Sequence, residues 1–160
     1  MIHINIICVG KIKETFLKDA ISEYSKRLSK YCLLNITELI DEKIPNNASE
    51  KELLLIKEKE SKNIINQLKK DSYIICLDLK GKQYSSEDFS EKIQNISLNG
   101  NSSITFIIGG SLGMSQELLN KANELISFSK MTFPHQLFRV FLLEQIFRAF
   151  KIINNETYHK

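Results

Sequence analysis

Four ionisable side chains lie in the most apolar stretch of the chain, where charge is costly unless it is paired or used. They are His135, Arg139, Glu144 and Arg148. At about 100° per residue, Glu144 and Arg148 lie on one helix face, and His135 and Arg139 lie on nearly the opposite one. The first pair predicts an intrahelical salt bridge. His135 follows a proline and is interpreted as a helix-start histidine rather than a catalytic one.

The chain then ends on three polar residues, Tyr158, His159 and Lys160. A chain end usually frays, but one tethered directly to so apolar a helix is held close to the rest of the protein. These side chains are therefore candidates for a defined position in a site.

A glycine-rich run follows a predicted strand, with Gly109, Gly110 and Gly113 ahead of a helix start. Glycines there expose backbone N–H groups and leave room for a flat ligand. The spacing matches neither the dinucleotide-binding fingerprint nor the P-loop. A simple tight turn between strand and helix is an equal alternative for this motif alone.

The elements that must position these residues alternate along the chain. Hydrophobic periodicity predicts strands at residues 2–9, 33–40, 73–79 and 103–108, and a last extended segment at 125–133. It predicts helices at residues 13–31, 49–70, 85–96 and 115–124, and a final helix after Pro134. Gly81 is interpreted as a turn.

This alternation predicts an α/β fold with a mostly parallel sheet and helices on both faces. Ligands of such sheets bind at the carboxyl ends of the strands. Three segments are expected there, namely residues 77–82, 108–114 and 128–134.

Composition narrows the class of protein. The 160 residues suit one domain, residues 1–160, and carry a net charge of +3, with basic residues concentrated towards both ends. No apolar run is long enough to span a bilayer and no signal peptide precedes the first strand, so a cytoplasmic protein is expected. Cys8, Cys32 and Cys76 are interpreted as buried thiols, and no cluster of metal ligands is present.

The final helix has almost no polar stripe and must be covered on all sides. A domain of this size rarely supplies such cover, whereas a two-fold homodimer would. The sequence therefore predicts a homodimer.

Several motifs together resemble a known family. They are the glycine run 108–114, the stretch FSKMTFPHQLFRVFLLEQIFRAFKI, the terminal ETYHK, the opening IICVGKIKETF, the DEK-P loop near Asp41 and LDLKGKQYSSEDF. The chain is similar throughout to the small bacterial SPOUT-class methyltransferases that methylate N3 of a pseudouridine in helix 69 of 23S ribosomal RNA. The resemblance implies a C-terminal deep trefoil knot, a homodimer, S-adenosyl-L-methionine as cofactor and assembled ribosomes as substrate.

The resemblance also implies roles for particular residues. Cofactor contacts fall on Leu77, Gly109, Phe128, Ser129, Lys130, Met131, Thr132 and Phe133. The tail, Tyr158, His159 and Lys160, would reach the partner subunit's active site, with Arg139, Glu144 and Arg148 lining or supporting the RNA side. Leu112 departs from the pattern, because relatives often have a polar residue there.

The implied chemistry needs a nucleophilic nitrogen held in line with an activated methyl group and removal of one proton. Neutral His159 could accept that proton or bind phosphate, and no metal is needed. A non-catalytic RNA-binding module, a nucleotide hydrolase and a structural dimer are the alternatives. The first fits the basic residues but gives no reason for the glycine turn.

Overall fold

In a computed structural model, which describes residues 1–158, strands and helices alternate as the hydrophobic periodicity predicts. The elements are β1 Ile2–Val9, α1 Thr15–Leu28, β2 Cys32–Leu39, α2 Glu50–Ile65, β3 Tyr73–Gln83, α3 Ser86–Leu98, β4 Ser103–Ile108, α4 Gln116–Lys121, β5 Glu124–Ser127 and α5 His135–Ile153.

Within residues 1–158 the five strands form one sheet in the order β2-β1-β4-β3-β5, and every pairing is parallel. Alternate residues of a strand face opposite sides of a sheet. In β1, Ile4 and Ile6 join the core formed with α1, α3 and α5. Ile7 and Val9 join the core formed with α2 and α4. The predicted α/β fold with helices on both faces is therefore confirmed.

Three of the helices begin directly after a serine whose side chain caps the first turn. The side chains of Ser49, Ser85 and Ser115 each accept a hydrogen bond from a backbone N–H in the first turn of α2, α3 and α4. The end of the second helix was overestimated from the sequence. The predicted helix 49–70 ends at Ile65. The chain then continues in turns, which still bring Leu68 against the core.

The interpretation of Gly81 as a turn is wrong. Gly81 lies inside β3, which pairs with β5 through Leu77, departs from it, and pairs again from Lys82. A Cβ atom on Gly81 would lie 2.6 Å from the backbone of Ile126. Glycine is therefore required there by the close passage of two backbones, not by a turn.

The three cysteines are free and buried, as predicted from their apolar surroundings. Burial raises the pKa of the Cys8 thiol to about 11 and the pKa values of Cys32 and Cys76 to about 12. None of them is therefore a ready thiolate at neutral pH.

Two kinds of feature are absent from the described part of the chain. No helix within residues 1–158 is long and apolar enough to cross a membrane. Nor does this part of the chain bring three or more His, Cys, Asp or Glu side chains together in a metal-binding group.

Candidate active site

A cavity of about 340 Å³, here called the strand-end cavity, opens at the carboxyl ends of β3, β4 and β5. Its walls come from residues 77–80 of β3, the glycine turn after β4, the loop after β5 and the first turns of α5. These are the three segments expected at this edge from the sequence. The cavity has the size and mostly apolar lining of a small-molecule site.

The glycine run forms a tight turn and also lines the cavity. The N–H of Gly113 donates a hydrogen bond to the carbonyl of Gly110 at 3.0 Å, and Gly113 has a φ of +82°. A Cβ atom on Gly109 would lie 2.9 Å from Cγ of Met114. The two interpretations of the motif are therefore compatible, because the turn keeps side chains out of the cavity wall.

The loop after β5 is fixed by serine hydroxyls and aromatic rings. The Ser127 hydroxyl donates to the carbonyl of Ser129 at 2.9 Å, and the Ser129 hydroxyl accepts from the N–H of Met131 at 3.0 Å. Phe128 packs against Phe138 with ring centroids 5.0 Å apart, and Phe133 stacks on Phe138 at 6.4 Å. The loop is thus held to α5 and presents a defined surface to the cavity.

Seven of the eight residues named from the resemblance as cofactor contacts line this cavity, namely Leu77, Gly109, Phe128, Ser129, Met131, Thr132 and Phe133. Lys130 does not line it, and its side chain is exposed. Leu112 is half-buried and also lies outside the lining.

The sequence missed individual lining residues on β3 and on α5. Asp78, Leu79 and Lys80 line the cavity because β3 leaves its partner strand there. His135 and Phe138 line it from α5. The predicted segment 77–82 contained the first three, but only the register shift in β3 shows which of its residues reach the cavity.

His135 is both the first residue of α5 and a wall of the strand-end cavity. It is half-buried, and burial together with the nearby charge of Arg139 lowers the pKa of its imidazole below the ordinary value of 6.5. The ring is therefore neutral at pH 7. The interpretation as a helix-start histidine holds for its position but misses its place in the cavity.

Arg139 lies one turn further along α5, buried between the ends of β1 and β2. Its side chain is 3% exposed and donates to Oε2 of Glu38 at 2.7 Å. It also donates to the backbone carbonyls of Val9 at 3.1 Å and Gly10 at 2.6 Å. Its Nε has no hydrogen-bond partner among residues 1–158. These hydrogen bonds hold the ends of β1 and β2 together, and Arg139 does not line the strand-end cavity.

Glu144 and Arg148 form the predicted intrahelical salt bridge on another face of α5. Nη2 of Arg148 lies 2.6 Å from Oε1 of Glu144. The other carboxylate oxygen of Glu144 accepts from the hydroxyls of Tyr24 at 2.6 Å and Tyr158 at 2.9 Å. Burial and the hydrogen bond to Glu144 raise the pKa of Tyr158, so its phenol is protonated at neutral pH.

The tail is anchored to its own chain as far as residue 158. Glu156 accepts from Nζ of Lys151 at 2.6 Å and from the Tyr31 hydroxyl at 2.8 Å. The ring of Tyr158 packs on Phe147 at 5.0 Å and lies 4.7 Å from the guanidinium carbon of Arg148. His159 and Lys160 lie outside the described residues.

One face of α5 is buried within its own chain, and the homodimer expected to cover the rest of this helix stays a prediction. Leu142, Leu143, Ile146 and Phe150 are buried against α1, α3 and the sheet. Phe141 is 36% exposed and faces away from that core. Leu137, Phe138 and Val140 are only half-buried, so apolar surface of α5 is left that a second subunit could cover.

Comparison with known proteins identifies the family. A family model described as "Predicted SPOUT methyltransferase" matches residues 2–159. The chain belongs to the SPOUT methyltransferase family. This membership favours an enzyme over a non-catalytic RNA-binding module, a nucleotide hydrolase or a structural dimer.

Curated SPOUT relatives are similar over nearly the whole chain. A protein of Clostridium botulinum strain Hall named "Ribosomal RNA large subunit methyltransferase H" is 64% identical over 158 residues, which cover 99% of each chain. A Clostridium perfringens protein named "Ribosomal RNA large subunit methyltransferase H 1" is 61% identical with the same coverage.

Proposed function

We propose that this SPOUT methyltransferase uses S-adenosyl-L-methionine to methylate N3 of a pseudouridine in helix 69 of 23S ribosomal RNA. It does so on assembled ribosomes, in the cytoplasm, as a homodimer of one SPOUT domain spanning residues 1–160. The observation that carries the proposal is the strand-end cavity, built from the predicted segments in a chain whose relatives are named as ribosomal RNA methyltransferases.

The residues of the strand-end cavity fit the proposed cofactor. Gly113 lines the cavity, and a Cβ atom built on it would meet no heavy atom within 4 Å, so the space beside this backbone is open. Apolar side chains from Leu77, Phe128, Met131 and Phe133 would hold the adenine. The glycine turn allows the close approach of the methionine part.

When bound, the cofactor supplies an already activated methyl group, so the protein is required mainly to bind and orient the reactants. The apolar walls would shield the reacting atoms from water. Neutral His135 places no positive charge beside a sulfonium. Lys130 is exposed and does not line the cavity, so it would act at the RNA side rather than on the cofactor.

The tail is proposed to complete the site of a second subunit. Tyr158 is fixed on Glu144, nine residues along α5 from His135, which corresponds to about 13.5 Å of helix. This separation between the tail anchor and the chain's own cavity supports a tail that acts across a dimer interface. Glu144 and Arg148 hold Tyr158 in place, His159 and Lys160 would act on the nucleotide, and Arg139 supports the strand ends.

A C-terminal trefoil knot is also proposed from family membership. The close passage of residues 125–126 over Gly81, which leaves no room for a Cβ atom, is consistent with a chain end drawn tightly past β3. The exposed ring of Phe141 and the partly exposed ring of Phe133, whose centroids are 5.3 Å apart, are proposed to lie in the dimer interface.

The decisive experiment offers labelled S-adenosyl-L-methionine to whole ribosomes, separated subunits and naked RNA, each with and without the pseudouridine. We expect methyl transfer to pseudouridine-containing ribosomes above all other substrates, because the small net charge leaves recognition to shape and context. Absence of transfer to every substrate would refute the proposed function.

A further inference from the structure

A second cavity, here called the acidic cavity, adjoins the strand-end cavity. It has a volume of about 410 Å³ and shares Gly110, Ser111 and His135 with the strand-end cavity. Its other walls come from the end of β1, the loop after β2 and Glu60 of α2. A methyl transfer requires a donor site and an acceptor site side by side, and the shared residues give these two cavities a common wall.

Glu60 is the buried polar group of the acidic cavity. It is 5% exposed, and its Oε2 accepts a hydrogen bond from the N–H of Glu42 at 2.9 Å. Its Oε1 lies against the glycine turn, where a Cβ atom on Gly110 would approach it to 2.8 Å. Among residues 1–158, none donates a hydrogen bond to Oε1. Glu60 lines the acidic cavity, so this oxygen is an acceptor that a ligand in the cavity can reach.

The surroundings of Glu60 hold it in place. Nζ of Lys59 lies 3.2 Å from Oε1 of Glu42, which partly offsets the charge of that carboxylate at the rim. Arg139 holds the carbonyls of Val9 and Gly10, two residues that line the acidic cavity. Both walls beside Glu60 are therefore fixed, so its free oxygen is a preorganised acceptor.

Resting on the function proposed above, we infer that the acidic cavity receives the flipped-out acceptor base and that Oε1 of Glu60 accepts a hydrogen bond from its N1–H. Pseudouridine has this N–H because its sugar is attached through C5, whereas N1 of uridine carries the sugar. A buried acceptor that loses its donor discriminates strongly against the analogue. Glu60 is thus the residue that selects pseudouridine over uridine, with N3 left to face the strand-end cavity.

The variant Glu60→Gln tests this contact without removing volume. The amide oxygen of the new side chain must face the N–H of Glu42, because an amide NH₂ in that position would place two hydrogen-bond donors against each other. The NH₂ group then points into the acidic cavity, so a donor replaces the acceptor. We expect methylation of pseudouridine-containing ribosomes to fall roughly tenfold or more, the size expected for a hydrogen bond to a charged group.

Three further measurements separate specificity from structural damage. Single-turnover rates on ribosomes with uridine at the target should be nearly unchanged in Glu60→Gln. The ratio of the rate on pseudouridine to the rate on uridine should therefore fall. Calorimetric affinity for S-adenosyl-L-methionine should match that of the wild type. The control Glu58→Gln changes an exposed carboxylate two residues away on α2 and should leave all rates unchanged.

An equal loss on both substrates, a parallel loss of cofactor affinity, or wild-type rates in Glu60→Gln would each overturn the assignment of Glu60 while leaving the proposed function intact. A wild-type protein that methylates neither ribosome would instead overturn the proposed function, and this inference with it.

Discussion

His135 occupies a position that is shared by a helix start and two cavities. It begins α5, it lines the strand-end cavity, and it also lines the acidic cavity. Arg139 follows one turn later and is buried against Glu38. Burial and, to a smaller extent, the positive charge that holds the strand ends lower the pKa of His135 and so favour a neutral ring. A neutral ring suits the proposed use of this wall by a cationic methyl donor on one side and a nucleobase on the other.

His135 should make the protein less stable in mild acid. Its pKa in the folded state lies below the ordinary 6.5. As the pH falls below that value, the unfolded chain takes up the proton first. The free energy of unfolding therefore decreases until the pH passes the folded-state pKa. Urea unfolding between pH 5 and pH 8 should show this loss in the wild type and a smaller loss in His135→Gln.

The control for this pH series is His3→Gln, which removes an exposed imidazole from β1. It should lose stability in acid as the wild type does. If His135→Gln lost as much stability as the wild type, the neutral state of His135 in the folded protein would be disproved.

At the scale of elements, β3 both builds the sheet and shapes the site. Its pairing with β5 is interrupted between Leu77 and Lys82, and Asp78, Leu79 and Lys80 in this interruption reach the cavity. Bulges of this kind redirect side chains near active sites. Gly81 ends the interruption, where the strand returns against the backbone of Ile126. The shape of the cavity therefore depends on a residue that does not line it.

Gly81→Ala should weaken both the fold and the site. The new Cβ atom would lie 2.6 Å from backbone atoms of Ile126, which cannot move aside as a flexible side chain could. We expect a loss of about 1–3 kcal/mol in the free energy of unfolding, as for an overpacked core. Affinity for S-adenosyl-L-methionine should also fall, since β3 and β5 must separate. Urea unfolding and calorimetry measure the two effects.

The matched control is Gln83→Ala, an exposed position two residues further along β3. Its stability should stay within about 0.5 kcal/mol of the wild type. Wild-type stability and affinity in Gly81→Ala would show that β3 and β5 do not constrain each other at this point.

At the scale of the whole molecule, the site and the tail lie at different places along α5. The strand-end cavity is at the beginning of the helix, and Tyr158 is held near its middle by Glu144 and Phe147. Under the proposed homodimer, one subunit supplies the cofactor cavity and the other supplies the tail. A complete active site then requires residues from both subunits.

Two inactive variants should restore activity when they share a dimer. One variant lacks the last three residues, and the other carries Thr132→Trp, which places a large ring at an exposed wall of the strand-end cavity. Each homodimer should be inactive. The mixed dimer should recover about half of the wild-type methylation rate, because one of the two sites in a two-fold dimer is complete. Co-expression with two affinity tags isolates that species.

Two binding measurements complete the test. The truncated homodimer should bind S-adenosyl-L-methionine with nearly wild-type affinity, whereas Thr132→Trp should not bind it. An inactive mixed dimer would show that the tail acts within its own chain.

Local patterns in the amino-acid sequence are enough to predict the elements of this fold and the edge of the sheet at which the strand-end cavity lies. Alternating apolar periods specified strands and helices, because each element must bury one face locally. Because ligands of parallel sheets bind where the strands end, the same pattern predicted three segments that the structure places around the cavity. The pairing of Glu144 with Arg148 was also predicted, since a helix sets that distance whatever surrounds it.

The tertiary structure alone decided which residues of those segments meet. The register shift in β3, the place of His135 in two cavities and the burial of Arg139 beneath Val9 and Gly10 all depend on contacts between distant parts of the chain. The unpaired oxygen of Glu60 depends on how α2 packs against the glycine turn. Local periodicity carries no information on such contacts, because they are fixed by how completed elements pack in three dimensions.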